Sequence, residues 1–376
     1  MTERYDVIVL GVGGMGSATV AQLADRDVDV LGLERYDVPH TYGSSHGLTR
    51  LFRLAYYEHP AYVPLARRAE ELWHDLESDY DRQLFYRTGS IDAAPRDDPL
   101  LEAAERACEE HGLEYELLSS EELAQRHPGY ELPDDYAALF QPEGGFLRPE
   151  ECTVANVERA HRAGATIRAR ERVVDWRGTD GGVRVETDHG AYEADRLVIT
   201  AGAWATQFVD ALEGIAVPER QVLGHFQPGD PEVFSPDRFP VWTLQAPEGR
   251  FYGAPVYGVP GFKVGRYNHR AETVDPDAFE REPTQADERL LREFVEEYFP
   301  NAAGPTMRLE TCLFTNTPDD HFVLDTLPDY PQVAVAAGFS GHGFKFASVV
   351  GEILADLTLE GETDHDIEMF SLDRFD

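Results

Sequence analysis

The chain has 376 residues, 42% of them apolar, enough for a sizeable buried core and for two domains or one large one. Seventy acidic residues stand against thirty-three basic ones, a formal charge of -37, and a field of that sign repels phosphate backbones and anionic lipid surfaces, which excludes nucleic acid and membrane as partners. The acids are spread through every segment and only two of the cations are lysine, Lys263 and Lys345, a composition that resembles proteins of salt-loving organisms, where concentrated salt screens self-repulsion.

The first run, "YDVIVL" at residues 5–10, is short, apolar and β-branched; no basic start and cleavage site precede it, and no later stretch is apolar for about eighteen residues, so a cytoplasmic protein is expected. It ends in "GVGGMG" and continues into a helical pattern, "SATVAQLADRD". A second apolar run, "DVLGLE", closes the unit at Glu34. Gly11, Gly13 and Gly16 thereby satisfy a dinucleotide fingerprint in its strand, turn and helix context: a sharp turn, close backbone approach to a pyrophosphate, and tight helix-on-strand packing. The helix start offers free N–H groups to phosphates, and Glu34 would accept hydrogen bonds from a ribose.

"SSHGLTRLFRLAYYEHPAYVPLARRAEELWHDL" reads as mostly helical. Spacings of four and three put His46, Arg50 and Arg53 on one stripe of that helix, which is either a solvated basic face or, in so acidic a chain, an anion site. Helices are expected over 100–111 and over 119–127, the latter opened by the capping box Ser119 to Glu122. "YELPDDYAALFQPEGGFLRPEE" reads as loop and strand crossing between domains, followed by a helix from about 150 to 163. A three-stranded meander around an Asp-Gly-Gly turn then leads into the buried strand "LVITAG". Residues 220–275 alternate as an antiparallel sheet. "DERLLREFVEEYFP" is an amphipathic helix, "QVAVAAG" a buried strand, and "ASVVGEILADLTL" a last helix after the loop "FSGHGFKF". Cys108, Cys152 and Cys312 are too few and too scattered for a disulfide framework or a zinc cluster. None of the thirteen histidines shows a metal-ligand spacing. The expected fold is α/β plus α+β: a discontinuous Rossmann-like nucleotide domain with an antiparallel-sheet domain over it.

In order along the chain, "DVIVLGVGGMGSA", "PHTYGSSHGLTRLFRLAY", "VITAGAW", "CLFTNTPDDHFVLD" and "AAGFSGHGFKFASVVGEIL" resemble the flavoprotein family of monomeric sarcosine oxidase, N-methyltryptophan oxidase and pipecolate oxidase, within the wider D-amino-acid-oxidase group. The resemblance implies FAD in place of NAD. It also implies a cofactor domain of residues 1–80, 147–215 and 325–376 and a substrate domain of residues 81–146 and 216–324. It puts Cys312 where members form a thioether to the flavin; elsewhere a lone cysteine is a small buried apolar residue. It implies that Arg53 and Lys345 hold a substrate carboxylate, that Arg50 lies against the flavin with His46 nearby, and that Lys263 stands over the flavin face where dioxygen is activated. A compact ammonium suits that space better than a planar guanidinium. Tyr252 and His342 are implied in the catalytic site, and Ser45, Val173, Gly202, Gly341, Gly343 and Phe344 join the cofactor contacts. Two departures bear on substrate choice. Phe314 replaces a tyrosine, and Tyr267 stands where relatives carry a histidine, with His269 able to reach the site by a local shift.

The implied reaction is oxidation of a small amino acid with a secondary amine by dioxygen, giving hydrogen peroxide and an imine that hydrolyses, to formaldehyde if an N-methyl group is oxidised. A monomer is expected. The alternatives are a flavin dehydrogenase that passes electrons to a carrier, an NAD-dependent dehydrogenase, which gives the C-terminal motif no role, and a non-catalytic flavin-binding subunit of a larger complex.

Overall fold

The strand Glu3–Leu10 buries Val7, Ile8, Val9 and Leu10 on both of its faces, as an apolar run must when it lies inside a parallel sheet. It pairs in parallel with Val30–Leu33 on one side and Ala191–Ile199 on the other. These strands belong to an eight-stranded sheet in a computed structural model that describes residues 2–375. Ala191–Ile199 divides its outer edge. Its first half is antiparallel to Gly182–Thr187, the middle of the expected meander, and its second half is parallel to Tyr330–Ala337. Helices Gly14–Ala24, Pro149–Arg162 and Ala347–Leu359 cover the sheet. Two of them touch closely because Gly351 lacks a Cβ, which would sit 2.7 Å from Ala18.

A second, nine-stranded sheet runs Glu272–Thr273, Val217–Phe226, Phe262–Arg266, Gly249–Ala254, Val241–Ala246, Ser90–Pro95, Tyr136–Gln141 and Glu116–Ser119, with Thr306–Asn316 paired along Val217–Phe226. Its period-two alternation decides everything that follows. Val222, Trp242, Leu244, Phe251, Phe262 and Val264 enter a core with Leu291, Phe294 and Val295 of the helix Gln285–Tyr298. The intervening residues Leu223, Thr243, Tyr252, Lys263 and, one strand over, Cys312 face a cavity toward the first sheet. That helix is opened by a capping box of Thr284 and Asp287, and Ser119 and Glu122 form the expected one at Ser120–Arg126.

One expectation fails in the fold. Only Tyr62–Tyr80 of the long "helical" segment is a helix. His46 lies in a loop and Arg50 starts the strand Arg50–Phe52, which pairs with Gly145–Leu147 in a small three-stranded sheet. Gly47, at φ +100°, turns the chain where a helix would have to continue. The three residues therefore share no helix stripe. The motif that begins at Cys312 lies in a strand the apolar pattern does not announce, Thr306–Asn316, eleven residues long. Among the described residues no helix is long and apolar enough to cross a membrane.

Candidate active site

At the glycine turn, Gly11 has φ +91°, and a Cβ on Gly16 would lie 1.8 Å from the Gly11 carbonyl oxygen, so the helix rests on the turn with no room for a side chain. The helix Gly14–Ala24 has no side-chain cap, which leaves its first-turn N–H groups facing the cavity, apart from Gly14 N–H donating to Ser45 Oγ at 3.0 Å. This is a cradle for a pyrophosphate. Glu34 is 5% exposed and accepts from Val12 N–H at 3.0 Å and Tyr36 N–H at 2.9 Å, and it lines the same cavity with Val173 and Gly202. The cavity encloses about 1980 Å³ of atom-free space, counting the part that opens to solvent. Its glycine floor, uncapped helix and carboxylate fit FAD. Sequence reading missed the closing element: Asp277 accepts from Trp204 Nε1 at 2.9 Å and Gln207 Nε2 at 3.0 Å and sits 3.0 Å from Arg35 Nη2.

In the middle of the cavity, Lys263 is 3% exposed, and burial, with Arg50 adding repulsion, pulls its pKa down to about 7. Arg50 Nη2 donates to Ser44 O at 2.9 Å and lies 3.9 Å from Cys312 Sγ. Cys312 is a free thiol, and burial pushes its pKa up. Cys108 and Cys152 are buried in helices, as expected. His46 is buried with neither ring nitrogen hydrogen-bonded, and burial and Arg50 lower its pKa to about 3. It does not line the cavity, and neither does Gly16, which works from behind the turn.

At the far end, Arg53 donates from Nη2 to both oxygens of Glu58, at 2.8 and 3.1 Å, with Asp92 3.7 Å from Nη1. Burial raises the Glu58 carboxyl, yet Arg53, His342 and Lys345 hold it at about 2. Asp92, fully buried, is pushed up to about 6. Lys345 Nζ donates to His342 O at 2.7 Å and Tyr56 Oη at 3.1 Å. Burial, then Arg53, lowers its pKa to about 7. Burial holds His342 near 3, and its Nδ1 is 2.6 Å from Tyr56 Oη. Gly341, at φ +76°, lies against Phe314, whose Cε2 would be 2.3 Å from an added Cβ. Gly343 and Phe344 complete this wall, with Phe344 Cε2 2.8 Å from where a Gly14 Cβ would stand.

Of the expected residues, Lys263, Lys345, Arg50, Arg53, Tyr252, Tyr267, His342 and Cys312 meet on this one cavity. Tyr267 donates its hydroxyl to Ser340 O at 2.6 Å. His269 does not reach it. The turn through Asn268 (φ +52°) carries His269 to the other side, where Nε2 is 3.0 Å from Asp287 Oδ1 and the ring is fully buried. Thr49, Glu58, Asp92 and Asp277 were missed. Only Asp92, a lone acid in the apolar run "SIDAAP", carried a visible signal.

The chain is similar to known proteins along nearly its whole length. The family model described as DAO, FAD dependent oxidoreductase, matches residues 6–357. The chain is similar to monomeric sarcosine oxidase of Bacillus sp. (strain B-0618), 41% identical across 100% of this chain and 97% of that protein. It is also similar to N-methyl-L-tryptophan oxidase of Salmonella enteritidis PT4 (strain P125109), 34% identical over 99% of each. Among solved structures it resembles NikD, an unusual amino acid oxidase essential for nikkomycin biosynthesis (TM-score 0.85, 27% identity, 98% of both chains). L-proline dehydrogenase from P. horikoshii shares the fold (TM-score 0.86, 23% identity, 100% of this chain and 98% of that one).

Proposed function

This chain belongs to the family of FAD dependent oxidoreductases, and from that membership we propose that it is an oxidase of amino acids with a secondary amine, N-methyl amino acids foremost. The observation that carries the reading is that the only two lysines of the chain lie buried on one cavity with Arg53 and Cys312. A lysine is rarely buried without a carboxylate partner, and nothing in a purely structural role accounts for both surviving there.

Gly11, Gly13, Glu34, Ser45, Arg50, Val173, Gly202 and the turn from Gly341 to Lys345 would hold FAD, with Gly16 seating the helix behind it and His46 shaping the wall. When bound, FAD supplies the hydride acceptor and passes two electrons to dioxygen. Cys312 is our candidate for covalent attachment. The parallel-sheet portion (1–80, 147–215, 325–376) serves as the cofactor unit and the rest as the substrate unit.

Arg53 and Lys345 would bind the substrate carboxylate, which competes with Glu58 for the guanidinium. Tyr252, Tyr267 and Phe314 would pack around the amine and His342 would orient Lys345 through its carbonyl. The amine loses a hydride from the carbon beside nitrogen and a proton from nitrogen. The imine takes up water and separates into a carbonyl compound and a primary amine. Lys263, held by Thr49, would supply the positive charge that favours reduction of dioxygen to hydrogen peroxide.

The acidic surface supports work in concentrated salt, and we expect a cytoplasmic monomer. The test is peroxide release across sarcosine, N-methyl aromatic, cyclic imino and D-amino acids in molar salt. Substrate consumption without peroxide would favour a dehydrogenase; bound flavin with no turnover of any amine would overturn the enzyme reading.

A further inference from the structure

The strand Gly249–Ala254 presents Arg250 to the same face as Tyr252, which lines the cavity. The Arg250 guanidinium carbon lies 4.9 Å from the ring centre of Tyr57 and 5.5 Å from that of Tyr267; both rings line the cavity, whereas Arg250 itself stands beside them and not on the lining. Its one side-chain hydrogen bond among the described residues is a long contact, Nε to Gln245 Oε1 at 3.4 Å, and no described carboxylate comes within 4.0 Å. Arg250 is thus a half-buried guanidinium beside the cavity whose charge no described carboxylate neutralises. Glu58 is already committed to Arg53 through both oxygens, and Asp320, whose carboxyl feels Arg250, forms no ion pair with it.

The Tyr57 ring also carries Arg53, whose guanidinium carbon is 4.1 Å from its centre, so the two guanidinium carbons stand no farther apart than the sum of the two ring distances, about 9 Å. We propose that Arg250 is the anchor for a second carboxylate, so that the preferred substrates are secondary amino acids bearing two acidic groups; this rests on the secondary-amine reading above. A short dicarboxylate spans two guanidinium groups within that limit when each end is held by a forked pair of hydrogen bonds. Stacking between two rings leaves the Arg250 head little freedom to lose on binding. A charge that merely steered anions would act on any of them and would be screened by salt.

The test is equilibrium binding, by calorimetry on the flavin-loaded protein in molar salt, of thiodiacetate and (methylthio)acetate, thioethers that carry two carboxylates and one and have no amine to oxidise. Thiodiacetate should bind tenfold or more tightly. That ratio should fall at least tenfold in R250Q and be partly kept in R250K, which also controls for folding. Equal binding of the two thioethers, or a ratio that R250Q leaves intact, overturns the proposal. Peroxide release from N-methylaspartate, N-methylglutamate and sarcosine is measured in parallel. Peroxide from sarcosine with equal thioether binding sinks the anchor alone, whereas a diacid preference with no peroxide from any secondary amine sinks the oxidase reading alone.

Discussion

Lys263 Nζ donates to both the carbonyl oxygen and the hydroxyl of Thr49, at 2.8 and 3.0 Å. The two acceptors hold the ammonium in place without neutralising it, as a carboxylate would. K263M keeps an unbranched side chain one atom shorter and removes the charge. Stopped-flow absorbance should show reduction by substrate changed less than about 10-fold and reoxidation by dioxygen slowed by about 100-fold or more. Equal slowing of both half-reactions would show that Lys263 has no special part in the oxygen step.

Two lysines make a simple spectrum. In protein labelled at lysine Cε, the Lys345 signal should titrate near pH 7, since burial and Arg53 depress its pKa to about 7. Below that pH the ammonium is present and two cations would hold a bound carboxylate; as pH rises through it, one is lost. Affinity for a carboxylate analogue should fall by roughly tenfold across that rise, and saturation should move the Lys345 midpoint upward by the matching amount. A midpoint unmoved by saturating analogue would remove Lys345 from the carboxylate site.

If Cys312 carries the flavin, acid precipitation will leave the yellow colour in the pellet and C312S will release it. Colour in the supernatant of the wild-type protein would show a dissociable cofactor.

Asp277 ties together Arg35, Trp204 and Gln207, which line the cavity with Glu34. In a C312S background, D277A should speed FAD dissociation about 10-fold, at about 1.5 kcal/mol for the charged hydrogen bonds lost. Release at an unchanged rate would make the clasp irrelevant to retention.

A formal charge of -37 predicts that salt stabilises the fold. The thermal midpoint should rise by roughly 10 °C between about 0.1 M and about 3 M potassium chloride as self-repulsion is screened. A flat or falling midpoint would contradict the salt-adapted reading.

The parts that the sequence made legible depend on local chemistry. The turn at Gly11 requires glycine whatever lies elsewhere, and the helix Ala347–Leu359 matches its apolar run residue for residue. The Ser119 box likewise needs only its own four residues. What escaped depends on distant partners. Arg50 and Arg53 obeyed helical spacing, but Leu51 pairs with Phe146, and that contact across the chain decided for a strand. Tyr267 and His269 are two residues apart, and only the turn at Asn268, together with buried Asp287, sends one into the cavity and the other away from it. Glu58 became visible as the partner of Arg53 only once both were folded together.

Both lysines are 3% exposed, so among the described residues the surface offers no ε-amino group. Oxidation of an N-methyl amino acid releases formaldehyde, which condenses with such groups and cross-links proteins that carry them. A surface whose permanent cations are guanidinium groups gives this product no lysine to attack among the described residues. The same scarcity that confines the ammonium groups to the cavity thus leaves the described exterior without the ε-amino groups with which formaldehyde condenses most readily.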